Sequence, residues 1–447
     1  MHNIKDLFKS VLSNDRILTD DNEVMPYSRD KSYFNSVRPL AVLKPKDSKE
    51  LSEIMKIANE NKIKVIARSG GTSLTGASIV NTDAVVISLE LMNRIRIYKD
   101  DQIAIVQPAV KIDELNRELA RYNLFFPVDP ASSYISEIGG NLSTNAAGLL
   151  SVRYGPISRW VLGLEVVLPD GSIIRTGTST IKQSLGFDLT HLFIGSEGIL
   201  GIITEAKLQV ISKPKDAVSV VISYDSIKDL IEDVKIARVE LDILKLEFLD
   251  NLSAKILSKE LNDMQIKPGF ILNIEAFDSA SKIESLFKDK DIKILKDDEK
   301  QKFLFSRKRL HDYLESIVSK EGKDMLVEDI AIPLSNLYEA YIEIEELLKK
   351  EEHYIFGHIG EGNLHINLFI DKGDIRHYED LTYKLGELTL RHNGTISAEH
   401  GIGLEKKELL KLHYKYLNSE HSLELIKSIK RLIDPNNILN PGKVIDL

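Results

Sequence analysis

Two stretches of this chain hold too many glycines, hydroxyls and amides to build a core, and both lie among segments that read as strands and helices. The first, Arg68-Ser69-Gly70-Gly71-Thr72-Ser73-Leu74-Thr75-Gly76, places three glycines and four hydroxyl side chains directly after the apolar run 63–67. Glycine lets a backbone approach a ligand closely, and exposed amides with Ser or Thr hydroxyls can bond the oxygens of a pyrophosphate. The spacing is not G-x-G-x-x-G and no Gly-Lys-Ser/Thr follows, so neither the dinucleotide fingerprint nor a P-loop is present. Taken alone, this segment suits a tight surface turn as well as an anion cradle. The second stretch tips that balance. It runs from Asp129-Pro130 through Gly139-Gly140-Asn141-Leu142-Ser143-Thr144-Asn145-Ala146-Ala147-Gly148 to Arg153-Tyr154-Gly155. A third small-residue turn, Gly195-Ser196-Glu197-Gly198, leads into the apolar strand that carries Ile203. Several such pieces in one unit point to an extended polar ligand touched at many backbone positions.

Around these loops the pattern mixes strands and helices. Residues 40–43 form an apolar run, and 47–61 have helical periodicity through Leu51, Ile54, Met55 and Ala58, with Ser48 near the start. Strands are predicted at 84–89 and 103–106, a helix at 112–121, and a hairpin about Pro169-Asp170-Gly171. A long strand at 200–210 ends at Lys213-Pro214-Lys215, which reads as a boundary. Beyond it, strands at 217–223, 270–276 and 329–333 with helices at 227–239, 334–351 and 378–393 predict a sheet with helices on one face. At 447 residues the chain exceeds what one core usually supports, so a unit at 1–215 (its core 39–215) and a second at 216–430 are expected.

Composition removes several classes of function. A net charge of −9 argues against nucleic acid or an anionic membrane as the main partner, and the mixed-charge run 288–300 reads as solvated surface. The absence of cysteine excludes disulfides, a Cys-ligated iron–sulfur cluster on this chain, a thiolate nucleophile and a cysteinyl–flavin link. No run approaches the length of a membrane span, and residues 1–20 lack the apolar core of a signal peptide; the expectation is a cytoplasmic protein, at most peripheral to a membrane.

The second unit carries Phe356-Gly357-His358-Ile359-Gly360-Glu361-Gly362-Asn363-Leu364-His365-Ile366-Asn367. Histidines seven apart face opposite sides of a continuous strand. Gly360 and Gly362 can fold the chain between them, so that both rings converge, and His365 shares a strand face with Asn367. Further on, Glu399-His400-Gly401-Ile402-Gly403 sets a carboxylate and an imidazole side by side. Each histidine alone suits a hydrogen-bonded structural role. Two histidines with one carboxylate suit Zn²⁺, Mn²⁺ or Fe²⁺ with positions left open for substrate.

The glycine segments, in this order over about residues 39–215, resemble the FAD-binding domain of the vanillyl-alcohol-oxidase/p-cresol-methylhydroxylase superfamily. The histidine run and the Glu399-His400-Gly401 element resemble the C-terminal domain of FAD-linked D-2-hydroxy-acid dehydrogenases. The resemblance implies an α+β fold: a two-subdomain FAD-binding domain, then a substrate domain with a mainly antiparallel sheet and helices, then a segment 431–447 that returns to the FAD domain. It assigns FAD contacts to Arg68, Ser69, Gly70, Gly71, Thr72, Ser73 and Gly76 in the first loop, and to Asp129 and Pro130. Gly139, Gly140, Asn141, Ser143, Asn145, Ala146, Gly148, Tyr154 and Gly155 follow, then Glu197, Ile203, Asn440 and Lys443. The first loop lacks histidine and the chain lacks cysteine, so the FAD is expected to be non-covalent there.

By the same resemblance His358, His365 and Glu399 ligate a divalent metal, Zn or Mn, and Asn367 touches substrate. Arg307 holds the substrate carboxylate, and His400 is the catalytic base. The implied reaction is oxidation of a small D-2-hydroxy acid to the 2-oxo acid by hydride transfer to flavin. An external acceptor then takes the electrons: a quinone, a cytochrome, an electron-transfer protein or an artificial dye. An iron–sulfur centre would have to sit on another subunit, and a homodimer is left open. Dicarboxylate-specific relatives carry a lysine where this chain has Val327, which favours D-lactate or glycolate over D-2-hydroxyglutarate, with His311 or Lys323 as alternative cations. The ether-lipid synthase of the same fold depends on consecutive histidines, and none are adjacent here; a hydrolase reading lacks an HExxH motif. The intact metal set and Arg307 argue against an inactive flavin subunit.

Overall fold

The computed structural model describes residues 4–261, 264 and 266–447, so the first three residues of the expected 1–215 unit lie outside it. The first unit is built on two main sheets, beside a two-stranded pairing of Leu124–Phe125 with Ile211–Ser212. Parallel strands Ala41–Leu43, Ala84–Ser88 and Lys64–Arg68 lie in that spatial order, with the antiparallel Ile17–Leu18 on the outer edge. Ala84–Ser88 is apolar without alternation and buried throughout, as a strand covered on both faces must be. The helix Ser48–Glu60 crosses between the first two parallel strands in sequence and buries Leu51, Ile54, Met55 and Ala58; Asp47, one residue before Ser48, caps it by accepting from the Lys49 and Glu50 amides. The second sheet is antiparallel: Ile95–Tyr98, Ile103–Val106, Ile202–Gln209, Val161–Val167 and Ile173–Arg175.

The second unit is a seven-stranded antiparallel sheet. Its spatial order is Ile292–Ile294, Val218–Tyr224, Phe270–Ala276, Ile243–Leu249, Glu352–Gly357, Asn363–Asp371, Lys323–Ala331. Helices cover both faces, not one as the pattern predicts. Ile227–Glu240, Leu337–Leu348 and Ile375–Arg391 bury Leu230, Ile344 and Leu385 on the first face. Asn251–Glu260, Asp297–Lys308 and Leu310–Glu321 bury Leu257, Phe303 and Leu314 on part of the second. Asp297–Lys308 buries only Phe303, Ser306 and Arg307, and its first turn, Asp297–Lys300, is the end of the run 288–300 that reads as solvated surface. The edge strand Ile292–Ile294 also lies within that charged run, with Ile294 exposed.

Strand periodicity sorts the site from the core. In Asn363–Asp371, Leu364, Ile366, Leu368 and Ile370 enter the first-face cluster, while His365, Asn367 and Phe369 point the other way. The chain also leaves this unit before residue 431. Leu410 and then Leu423, Ile426 and Ile429 already pack on the core of the five-stranded sheet. Asp434 then accepts from the Ile438 and Leu439 amides at 3.0 and 2.9 Å, and the turned chain runs parallel to Lys64–Arg68 through a Val65–Leu439 bridge. Among the described residues no helix is long and apolar enough to cross a membrane.

Candidate active site

A cleft with about 1730 Å³ of empty space, part of it open to solvent, runs between the two units. Its first wall is the loop that leaves Lys64–Arg68. The N–H groups of Gly70, Gly71, Thr72, Ser73 and Leu74 have no hydrogen-bond partner among the described residues, and all five residues line the cleft. Such a row of free amides is an anion-binding concavity. Gly71 has φ +64°, and a Cβ there would lie 2.1 Å from Arg68 Nη2; Arg68 Nη1 in turn donates to the Arg29 carbonyl at 2.6 Å, so the guanidinium props the turn. Across the cleft, a Cβ at Gly140 would meet only Ser69 Cβ, at 4.0 Å, which leaves space for a flat or extended ligand.

Of the residues expected to touch FAD, Arg68, Ser69, Gly70, Gly71, Thr72, Ser73, Pro130, Gly139, Gly140, Asn141, Ser143, Ala146, Glu197, Ile203 and Asn440 line this cleft. Gly76, Asp129, Asn145, Gly148, Tyr154, Gly155 and Lys443 do not, and each has another task. Lys443 Nζ donates to the Gly76 and Ile79 carbonyls at 2.7 and 2.8 Å. Asp129 pairs with Lys308 at 2.6 Å, and Gly148 backs so closely on the Asp129 carbonyl that a Cβ would lie 2.3 Å from it. Asn145 sits at φ 54° and accepts from the Ser158 amide; Tyr154 packs edge-on to Trp160; Gly155 leaves room for Arg159. These residues shape the loops and do not line the cleft.

The opposite wall is the open part of the seven-stranded sheet, and it brings together Arg307, Val327, Phe356, His358, His365, Asn367, Glu399 and His400. His358 follows the strand Glu352–Gly357, and the turn through Gly360 and Gly362 feeds Asn363–Asp371, so the two imidazoles meet at 5.3 Å with ring planes 88° apart. Gly362 has φ +72°, and a Cβ there would lie 1.8 Å from the Ile332 carbonyl oxygen. Both Nε2 atoms reach one oxygen, Glu399 Oε1, at 3.3 Å from His358 and 3.2 Å from His365. Behind them His358 Nδ1 donates to Glu247 Oε1 at 2.6 Å, and His365 Nδ1 faces Asp329 Oδ1 at 3.4 Å. Burial opposes charge on His358, but Glu247 and Glu399 overcome it and push its pKa up to about 10. Burial pushes Glu399 up, yet the two imidazoles hold it well below the usual carboxylate range. The carboxylate and the two imidazoles thus favour one another's charged forms.

Donor atoms of a tetrahedral site with bonds of about 2.0–2.2 Å lie about 3.3–3.6 Å apart, so the Glu399–histidine separations fit a divalent cation. Carboxylates behind metal-binding imidazoles are the usual means of fixing their tautomer, and Glu247 and Asp329 occupy those places. Asp329, His365, Glu399 and His400 also place ligand-type atoms within 4.8 Å of one another. Asp329, however, already accepts from Asn363 Nδ2 at 2.8 Å and from the Ala398, Glu399 and His400 amides at 3.0, 2.7 and 2.9 Å. That pattern suits it to holding the loop. From the other unit, Glu197 accepts from the Ile402 and Gly403 amides at 2.6 and 2.8 Å. Residues 398–403 are therefore gripped by one carboxylate from each unit.

His400 stacks on His365 at 5.3 Å and 13°, with Nδ1 lying 4.0 Å from Asp329 Oδ2 and no hydrogen-bond partner. Burial lowers its pKa below the ordinary imidazole value despite Asp329, which leaves it neutral near pH 7. Arg307, 2% exposed, lies over the Phe356 ring at 4.7 Å. Its Nη2 is 2.8 Å from Glu247 Oε2 but not aligned as a hydrogen bond, and Nε is likewise free. Asn367 Oδ1 is a further buried acceptor without a partner. Unpaired buried polar atoms are rare, and three of them (His400 Nδ1, Arg307 Nε and Asn367 Oδ1) belong to residues that line this cleft, which suits it to a polar ligand. Sequence reasoning missed Glu247 and Asp329 as site residues. The signal was available: Lys245 and Glu247 interrupt the otherwise apolar strand Ile243–Leu249 at every second position.

Two family models match the chain: "FAD binding domain" over residues 39–177 and "FAD linked oxidases, C-terminal domain" over residues 213–444. The chain is 32% identical over 433 residues to the glycolate oxidase subunit GlcD of Bacillus subtilis, covering 94% of this chain and 91% of that one. It is 32% identical over 444 residues to a D-lactate dehydrogenase of Archaeoglobus fulgidus (95% and 97% covered). A D-2-hydroxyglutarate dehydrogenase of Stutzerimonas stutzeri is 29% identical over 469 residues (98% of both). Among solved structures, p-cresol methylhydroxylase with substrate bound superposes with a TM-score of 0.79 over 99% of this chain and 96% of that one, at 17% identity. The fold is the two-domain FAD-binding fold of the vanillyl-alcohol-oxidase/p-cresol-methylhydroxylase superfamily.

Proposed function

The chain belongs to the FAD-linked oxidases, and from that premise we propose that it oxidises a small D-2-hydroxy acid, D-lactate by preference, to the 2-oxo acid with non-covalent FAD and a bound Zn²⁺ or Mn²⁺. The observation that carries this reading is the convergence, on one cleft, of free loop amides with an arginine, a carboxylate and three histidines. Bound FAD supplies the two-electron acceptor, and a bound cation supplies the charge that makes the 2-hydroxyl acidic. Gly70–Leu74 offer their amides to the pyrophosphate. His358, His365 and Glu399 hold the cation. Arg307 binds the substrate carboxylate through its guanidinium, of which Glu247 faces Nη2 and leaves Nε free, and the Phe356 ring packs beneath it. Asn367 Oδ1 accepts from substrate. His400, with Nδ1 turned to Asp329, accepts the hydroxyl proton at Nε2; the imidazolium so formed gains from the Asp329 carboxylate.

The preference for a monocarboxylate is supported by what lines the far end. Val327 pairs with Asn367 in register and faces the cleft. The two alternative cations are engaged elsewhere: His311 with Glu315 at 3.2 Å and Lys323 with Glu352 at 2.7 Å. Lys308 is held by Asp129, and Lys31 is exposed. A second carboxylate would be left without a buried partner, which is costly. The test is anaerobic loss of oxidised-flavin absorbance on adding D-lactate, L-lactate, glycolate or D-2-hydroxyglutarate, before and after chelation. Loss with D-lactate that chelator abolishes and metal restores is the expected outcome; no loss with any of the four refutes the reading.

A further inference from the structure

We propose that Glu247 is a positioning residue that ties the cation site to the carboxylate-holding arginine, and so sets the site to read 2-hydroxy acids and to reject 3-hydroxy acids. The inference rests on the function proposed above. Glu247 lies on Ile243–Leu249, the central strand of the seven, with its side chain on the site face. Its two oxygens serve two different groups. Oε1 accepts from His358 Nδ1 at 2.6 Å, and Oε2 stands 2.8 Å from Arg307 Nη2, with all three side chains buried. One rigid carboxylate therefore fixes where the His358 Nε2 lone pair points and where the guanidinium sits.

In a 2-hydroxy acid the hydroxyl and the carboxylate hang on adjacent carbons. In a 3-hydroxy acid they are one carbon further apart. If cation and guanidinium are tethered through one carboxylate, only the first spacing places both groups at once, and a misplacement of about 1 Å can cost about a hundredfold in rate. Stability does not explain this residue. A buried ion pair is often no more stabilising than apolar side chains of the same volume, and Leu249, two residues along on the same face, does pack into an apolar cluster. Glu247 also leaves Arg307 under-used: Nη2 faces Glu247 but Nε has no partner, so a donor remains for a second carboxylate.

The test uses FAD-loaded protein stripped of metal, as wild type, Glu247→Gln, Arg307→Lys and the double variant. Calorimetric titration with Mn²⁺ should show about a 10–100-fold weaker affinity for Glu247→Gln, the usual result of removing a carboxylate behind a metal-binding imidazole. Arg307→Lys, which touches no ligand atom, should weaken Mn²⁺ in the wild-type background but not in the Glu247→Gln background, a non-additivity that general loosening does not produce. At saturating Mn²⁺, the kcat/KM preference for D-lactate over D-3-hydroxybutyrate should collapse in Glu247→Gln. Should that variant fail to retain FAD, Glu247→Asp, with the charge kept but the reach shortened, carries the same measurements and the same expectation. Wild-type Mn²⁺ affinity in the variant, or an Arg307→Lys effect of equal size in both backgrounds, overturns the proposal. Wild-type protein that binds neither Mn²⁺ nor pyruvate overturns the proposed function instead.

Discussion

Removing the His400 imidazole should stop the chemistry while leaving the protein loaded. In His400→Ala the proton acceptor is lost, and a positioned general base is worth about 10²–10⁴ in rate, or about 2.7–5.4 kcal/mol. The geometry argues for the upper half of that range. Nδ1 lies 4.0 Å from the Asp329 carboxylate, and two opposite charges at that distance attract by about 4 kcal/mol at an effective dielectric of 20. Asp329 spends part of that field on three loop amides, so the imidazolium gains less than the full amount. The side chain is 21% exposed, and its loss should cost little stability. The assay is anaerobic stopped-flow reduction of the flavin by D-lactate, with FAD and metal content measured on the same sample. Burial lowers the His400 pKa, so the wild-type rate should fall only below the ordinary imidazole value of about 6.5. The variant should be slow at every pH and lack that acid limb. Reduction within about threefold of wild type, far inside the range for a lost base, refutes the assignment.

Three other outcomes are expected. Val327→Lys puts a cation on the cleft wall beside Asn367 and should raise kcat/KM for D-2-hydroxyglutarate relative to D-lactate by tenfold or more, about the 1.4 kcal/mol of one partly exposed charge-assisted contact; unchanged selectivity would detach Val327 from specificity. Metal bound at about a hundred times its Kd adds about 2.7 kcal/mol of stability, so stripping it should lower the melting point of the second unit by about 5–11 °C, with no change in Glu399→Gln. Glu405, pushed up to about 8 by burial and by Glu328, contributes stability below the usual carboxylate pKa that is lost as pH rises through about 8. The melting point of Glu405→Gln relative to wild type should therefore climb between pH 5 and 9, and parallel curves would show that the carboxyl is not held protonated.

How much of this could be read from the sequence depends on whether each feature is written locally. The parallel strands and the helix Ser48–Glu60 are local patterns: an unbroken apolar run and a 3.6-residue stripe. The helices on the second face of the seven-stranded sheet are not. Asp297–Lys308 offers the core one phenylalanine and offers the site one arginine, and no periodicity separates that from a solvated helix. The early return of the chain is hidden for a related reason: Leu423, Ile426 and Ile429 mark an amphipathic helix but do not say which core it covers.

The site divides along the same line. His358, His365 and His400 stand out because glycine turns flank them, and turns are encoded where they occur. Glu247 and Asp329 are as central to the geometry, yet each sits in a strand whose meaning comes from its neighbours in the sheet. Glu247 needs the pairing of Ile243–Leu249 with Glu352–Gly357 before it comes near His358, 111 residues away. Asp329 needs the register Asp329–His365 before its carboxylate can back one histidine and grip the loop that carries another. A charged residue at an alternate position of an apolar strand is thus a local sign of a non-local fact. The cost of burying a charge means that something on that face must pair with it. In this chain those partners are His358 and Arg307 for Glu247 and His365 for Asp329, the side chains proposed above to hold metal and substrate.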